Sequence, residues 1–73
     1  MEPCMHWYPH ILEEQLRRRL DALAAAGGPR LTLTGDVEFR HLRRADGTDF
    51  VEPGQCLANY HVIVDRLFQE LAQ

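Results

Sequence analysis

The sequence contains neither lysine nor serine, so all eight of its basic residues are arginine. Without serine the chain has no serine nucleophile, and it also lacks a phosphate-binding loop and a dinucleotide-binding fingerprint. Arginine supplies planar, permanently charged groups that suit directional contacts with carboxylates. We therefore expect a non-enzymatic protein that uses no cofactor.

Long apolar runs are absent as well. No stretch approaches the roughly 20 residues of a membrane-spanning helix, and the N-terminus does not have the basic-then-apolar pattern of a signal peptide. The apolar share of 45% is ordinary for a globular protein, and 73 residues are enough for one small domain. We expect a cytoplasmic monomer with no membrane partner.

Cysteine is scarce, since only Cys4 and Cys56 occur, and the sequence leaves open whether they pair. Together with His6, His10 and His61 they are possible zinc ligands. However, the chain has no Cys-x-x-Cys pair, and the spacing fits no common zinc motif. We expect no metal site.

Residues 9–26 have the clearest pattern, that of an amphipathic helix. Pro9 suits the first helical position, and Gly27 suits the left-handed position that ends a helix. Apolar residues recur at steps of three and four, which places them on one stripe. These residues are Leu12, Leu16, Leu20 and Leu23.

The middle of the chain has the composition of strands. A short strand is predicted over residues 30–34, with Gly35 as a break after it. Next, residues 37–44 and 48–52 are predicted to form a β-hairpin joined at a turn through Asp46-Gly47. A short helix over residues 37–44 is the competing interpretation.

Residues 55–72 are predicted to form a second helix, although the β-branched run Val62-Ile63-Val64 makes a strand the main alternative. The predicted fold class is α+β, with two amphipathic helices packed on a small antiparallel β-hairpin or short sheet. The single domain divides into an apolar lead-in (1–8), a helix (9–26), strands and hairpin (30–52) and a second helix (55–72).

Basic residues concentrate in the predicted hairpin, whereas the last third of the chain is acidic. An open hairpin edge can pair with a strand of another protein, and arginine and aromatic side chains beside it would select that partner. The predicted contact residues are Arg40, Leu42, Arg43, Arg44 and Phe50, with Trp7 and Tyr8 as a second choice.

A small nucleic-acid-binding regulator that uses the same basic hairpin is the alternative, because Phe39 and Phe50 could stack on bases. The net charge of −3 disfavours this alternative, since nucleic-acid binding depends on the neutralisation of phosphates. We therefore favour protein binding over direct nucleic-acid binding.

Taken whole, the chain resembles the small transcription regulators of Xanthomonas lytic phages, through the segments MEPCMHWYPHILEEQLRRRL, LRRADGTDFVEPGQ and NYHVIVDRLFQEL. The resemblance spans the full length and includes the arginine-only basicity, but it assigns no contact residue. It implies a phage protein for host takeover that acts in the host cytoplasm. Such a protein binds bacterial RNA polymerase, inhibits transcription initiation and promotes antitermination.

Overall fold

The computed structural model describes residues 9–36 and 39–73, which form two helices and a two-stranded antiparallel sheet. The predicted α+β class is confirmed. The elements in chain order are α1 (Pro9–Ala25), β1 (Leu31–Asp36), β2 (Phe39–Arg44) and α2 (Leu57–Leu71). Both predicted helices are present, and the run Val62-Ile63-Val64 is helical.

Helix α1 ends at Ala25, and the predicted Gly27 takes the left-handed conformation just beyond it. The backbone N–H of Gly28 donates to the carbonyl oxygen of Leu23 at 2.9 Å, and that of Gly27 donates to Ala24 at 3.1 Å. This pair of bonds is the Schellman motif, which satisfies carbonyl groups that the end of a helix leaves without partners. Gly27 has a φ of 97°, which side chains with a Cβ atom rarely adopt.

Apolar side chains from all four elements form one core. Helix α1 packs on α2 and on β1. Leu12 of the predicted stripe is only half-buried. The buried residues are Leu16, Leu20 and Leu23 of α1, Leu31 and Leu33 of β1, Leu42 of β2, and Tyr60 and Val64 of α2.

The hairpin forms between different segments from those predicted. Strand β1 extends through Gly35 to Asp36 and pairs with β2, in a register from Leu31 opposite Arg44 to Asp36 opposite Phe39. The strand interpretation of the described part of residues 37–44 is therefore confirmed over the helical one. The prediction that Gly35 breaks the strand was wrong.

Residues 48–52 were also predicted as a strand, and this was wrong. Among the described residues, a single isolated bridge between Arg43 and Asp49 continues the pairing beyond the turn at Asp46-Gly47. Phe50 and Val51 are consecutive, and both pack against the core. A regular strand points consecutive side chains to opposite faces, so this segment departs from strand geometry.

The segment over residues 48–54 nevertheless covers the outer edge of β2. Arg44 donates its N–H to the Thr48 carbonyl at 2.8 Å, and the Leu42 carbonyl accepts from the N–H of Phe50 at 2.7 Å. The Arg40 carbonyl accepts from Gly54 at 2.9 Å. Within the described part of the chain, the outer edge of β1 is therefore the uncovered edge of the sheet.

Candidate functional site

Two of the predicted contact residues stabilise the fold instead. Leu42 is 0% exposed, so its prediction as a contact residue was wrong. The side chain of Arg40 is 11% exposed; it forms an ion pair with Glu13 of α1 and donates to the Gly35 carbonyl at 2.7 Å. Both lie on the inward face of β2, because strand residues two apart share a face.

Arg43 lies on the opposite face, and its charge is balanced. Its Nε is 3.3 Å from a carboxylate oxygen of Asp49, and the same oxygen lies 3.2 Å from Nδ1 of His41. The ring of Phe39 meets the His41 ring edge-on, with 4.9 Å between the centroids. Arg43 is therefore a weak candidate for attracting an anionic partner.

Arg44 and Phe50 lie together, as the predicted contact surface requires. The Arg44 guanidinium carbon is 5.3 Å from the centre of the Phe50 ring, a cation–π distance. Arg44 also donates to the hydroxyl of Thr48 at 3.0 Å and to the carbonyl of Asp49 at 2.8 Å. These partners are neutral, so they hold the guanidinium in place without forming an ion pair with it.

A surface groove of about 330 Å³ adjoins this pair, and we call it the Arg30–Arg44 groove. Its lining residues are Pro29, Arg30, Arg44, Ala45, Asp46 and Phe50. The carboxylate of Asp46 accepts from the hydroxyl of Thr48 at 2.7 Å and from its backbone N–H at 2.9 Å, and these hydrogen bonds lower the pKa of Asp46. Asp46 thus serves the turn and forms no ion pair with either arginine, but the charge of Arg44 also contributes to its lowered pKa, so Asp46 partly offsets the positive charge of the groove.

The ion pairs show which arginine side chains remain available to bind an anionic group of a partner. Five arginines pair with carboxylates: Arg17, Arg18, Arg19, Arg40 and Arg43. Across residues 9–36 and 39–73, Arg30, Arg44 and Arg66 form no ion pair with a described residue. Two of these three line the same groove, which makes it the strongest candidate for binding an anionic group.

Arg30 was missed among the predicted contact residues, although the sequence contains a signal for it. Residues 26–34 contain no acid, so Arg30 has no carboxylate nearby in the chain. By contrast, Arg17 and Arg18 each follow a glutamate by four residues, and both predicted pairs form.

The other candidate chemistry has little support in the described part of the chain. There, no group of three or more histidine, cysteine or acidic side chains could hold a metal ion. Both ring nitrogens of His61 bind within the helix interface, to Arg19 at 2.9 Å and to the Leu12 carbonyl at 3.0 Å. None of the described helices is long and apolar enough to cross a membrane.

Some predictions fall outside the described residues. These are the roles of Trp7 and Tyr8 as contact residues, the apolar lead-in over residues 1–8, and the positions of Cys4 and His6. They stay predictions, as does the question of whether Cys4 meets Cys56.

The fold and this surface define a small α+β domain with a cationic groove at one end of its hairpin. No family model, no curated protein and no solved structure matches the chain.

Proposed function

We propose that the chain is a non-enzymatic regulator that binds bacterial RNA polymerase, inhibits transcription initiation and promotes antitermination. The resemblance to small phage transcription regulators supplies the partner. One observation supports the docking surface: Arg30 and Arg44, which form no ion pair with a described residue, line a groove together with the half-buried ring of Phe50.

This combination suits a protein partner. A guanidinium binds a carboxylate with two parallel hydrogen bonds, and arginine and aromatic residues are enriched among the residues that dominate interface energies. Phe50 offers an apolar surface next to those charges. We propose that an acidic segment of the polymerase places carboxylates on Arg30 and Arg44.

The first experiment is capture of the polymerase by the purified full-length chain from a nuclease-treated bacterial lysate. Mass spectrometry identifies the captured proteins, and the nuclease removes nucleic acid that could bridge two proteins. We expect the polymerase subunits at near-stoichiometric amounts. Their absence would contradict the proposed partner.

The activity is tested separately with purified polymerase on a template that carries a promoter and a downstream terminator. The proposed function predicts fewer initiated transcripts and more read-through from complexes that have already started. If both quantities stay unchanged at saturating protein, the regulatory role is wrong even where binding occurs.

Nucleic-acid binding is the second candidate, and the exposure of Phe39 favours it. Phe39 is 51% exposed and shares a face of the hairpin with His41 and Arg43. However, Asp49 lies within ion-pair distance of both of those residues, which reduces the positive charge available for phosphates. A gel-shift titration with DNA and RNA separates the two candidates, because phosphate binding would weaken steeply with salt.

A further inference from the structure

We infer that the outer edge of β1 accepts an extended segment of the protein partner as a third strand, with acidic residues at the end that reaches the Arg30–Arg44 groove. The inference rests on the proposed protein-binding function and specifies how the partner binds. Pairing of an added strand with an open sheet edge is a recurrent mode of peptide recognition.

The register determines which backbone groups face outwards. The carbonyl groups of Arg40 and Leu42 accept from residues 48–54, so they point away from β1. In an antiparallel pair, residues directly opposite each other point their backbone groups either towards or away from each other. Leu33 is opposite Leu42, so the N–H and C=O of Leu33 point to the outer edge of β1. Leu31 faces the same way, two residues earlier in the strand.

A groove runs along this edge, between β1 and α1. Its volume is about 250 Å³, and its lining residues are Arg17, Leu20, Asp21, Arg30, Leu31, Thr32 and Leu33. Arg30 lines this groove and also the Arg30–Arg44 groove. Arg30 therefore borders both grooves, so a segment that lies along β1 has the cationic groove next to one of its ends.

Arg17 occupies one backbone acceptor of this edge in the free protein. Its guanidinium donates to the outward carbonyl of Leu33 at 3.0 Å and also to Glu13. Natural sheets protect open edges against unwanted pairing, and charged side chains are a common means. Because the ion pair with Glu13 is independent of Leu33, Arg17 can give up the carbonyl to an incoming N–H and keep its own counter-ion.

The charges fix the composition and direction of the segment. Asp21 lines the groove beside β1, so neutral residues suit that part of the segment. The acidic residues of the segment should lie past this groove, next to Arg30 and Arg44. Antiparallel pairing is slightly more stable than parallel pairing. An antiparallel segment runs towards the start of β1, so its acids lie at its C-terminal end.

The test uses a peptide of this design, acetyl-Thr-Val-Thr-Val-Thr-Glu-Glu-amide, with the full-length chain labelled with nitrogen-15. Two further copies carry N-methyl groups, one on both valines and the other on the last two threonines. N-methylation removes a backbone donor, and consecutive residues of an added strand point to opposite edges. The two copies therefore block different edges of the same peptide.

Strand addition predicts saturable shifts of the Leu31 and Leu33 amide signals with the unmethylated peptide. It also predicts that one methylated copy binds about tenfold more weakly than the unmethylated peptide, because it loses its hydrogen bonds to β1. The affinity of the other methylated copy should stay within about threefold of that of the unmethylated peptide. Equal affinities of the two methylated copies, saturation without shifts at Leu31 and Leu33, or no saturable binding would each overturn the inference.

Arg17→Ala provides a second measurement with a matched control. Arg17 and Arg18 both pair with a glutamate four residues earlier, but only Arg17 donates to a carbonyl of β1. We expect Arg17→Ala to bind the peptide at least as tightly as the parent chain, because the carbonyl no longer has to be vacated, and Arg18→Ala to leave the affinity unchanged. A tenfold loss with Arg17→Ala alone would contradict the displacement of Arg17.

Polymerase capture by the same full-length chain separates this inference from the proposed function. If the peptide pairs with β1 but no polymerase is captured, only the proposed function fails. If polymerase is captured but the peptide criteria fail, only strand addition fails.

Discussion

Gly35 allows β1 and β2 to approach at the closed end of the hairpin. Its φ is 89°, and a Cβ atom at this position would overlap the carbonyl oxygen of Phe39. Gly47 has nearly the same φ, 91°, but its Cβ position faces open space. Replacement of either glycine would therefore strain the backbone, but only a side chain at Gly35 would also overlap a neighbouring atom.

We expect Gly35→Ala to lower the free energy of unfolding by about 3 kcal/mol or more, and Gly47→Ala to lower it by only about 1 kcal/mol. Urea denaturation of both variants measures the difference. Equal losses would mean that strain alone, without overlap against Phe39, accounts for the requirement for glycine.

Tyr60 makes stability depend on alkaline pH. Burial raises the pKa of Tyr60, and its hydroxyl donates to the Arg40 carbonyl at 3.1 Å. A raised pKa in the folded state gives a stabilisation that is complete below the unfolded value of about 10 and is lost as the pH rises through the folded value. Because the chain has no lysine, no lysine titration overlaps that of Tyr60.

The free energy of unfolding should therefore decline above about pH 10, and Tyr60→Phe should flatten that decline. The variant should also lose about 1 kcal/mol at neutral pH, through its missing hydrogen bond. Chemical denaturation at pH values from 7 to about 11 tests both expectations. If the free energy of unfolding of Tyr60→Phe falls with pH as steeply as that of the parent chain, Tyr60 is not the source of the decline.

At the scale of elements, Glu13 connects α1 to the hairpin. Its carboxylate binds Arg17 on the same helix and also Arg40 of β2. The Arg40 side chain is 11% exposed, so a loss of its counter-ion leaves a largely buried charge uncompensated. Glu14 makes only an exposed pair with Arg18, which provides the matched control.

We expect Glu13→Gln to lower the free energy of unfolding by about 1–3 kcal/mol and Glu14→Gln to change it by less than about 0.5 kcal/mol. Thermal and urea denaturation under identical salt conditions measure both. If the two variants behave alike, the ion pair between Glu13 and Arg40 does not stabilise the packing of α1 on β2.

The helices could be predicted from the sequence because their signals are local. The leucine stripe and Gly27 define α1 without reference to the rest of the chain. Strand pairing is not local, since residues 37–44 could pair with the segment before or the segment after them. In the fold β2 forms a regular ladder with β1 and only irregular hydrogen bonds with residues 48–54, where Phe50 and Val51 both pack against the core. This packing cannot be read from a short sequence window.

The same distinction applies to the candidate site at the scale of the whole molecule. Alternation placed Arg40, Leu42 and Arg44 on one face of β2, but it could not tell that this face meets α1. Arg40 finds its partner Glu13 only through the tertiary fold. Arg44 and Phe50 lie together in the fold, and their role as contact residues stays a prediction. The lack of an acid near Arg30 in the sequence does not by itself show which other arginines are paired, because pairs such as Arg40 with Glu13 form between distant segments.

The charges of the molecule are distributed unevenly. Most arginines serve the fold through ion pairs, while Arg30 and Arg44 lie together and Arg66 lies on α2, outside both grooves. If Arg30 and Arg44 bind the partner, reversing their charges should affect binding and leave the fold intact. Arg66 offers a reversal of the same kind at an exposed position that is not part of the proposed surface.

The most direct test of this account is the affinity of purified bacterial RNA polymerase for the double variant Arg30→Glu/Arg44→Glu, compared with Arg66→Glu and the parent chain. Circular dichroism and urea denaturation first establish that all three are folded. We predict that the double variant binds at least about a hundredfold more weakly, from the loss of two charge-assisted contacts, and that Arg66→Glu binds like the parent. Equal affinity of the folded double variant and the parent would contradict the proposed docking surface.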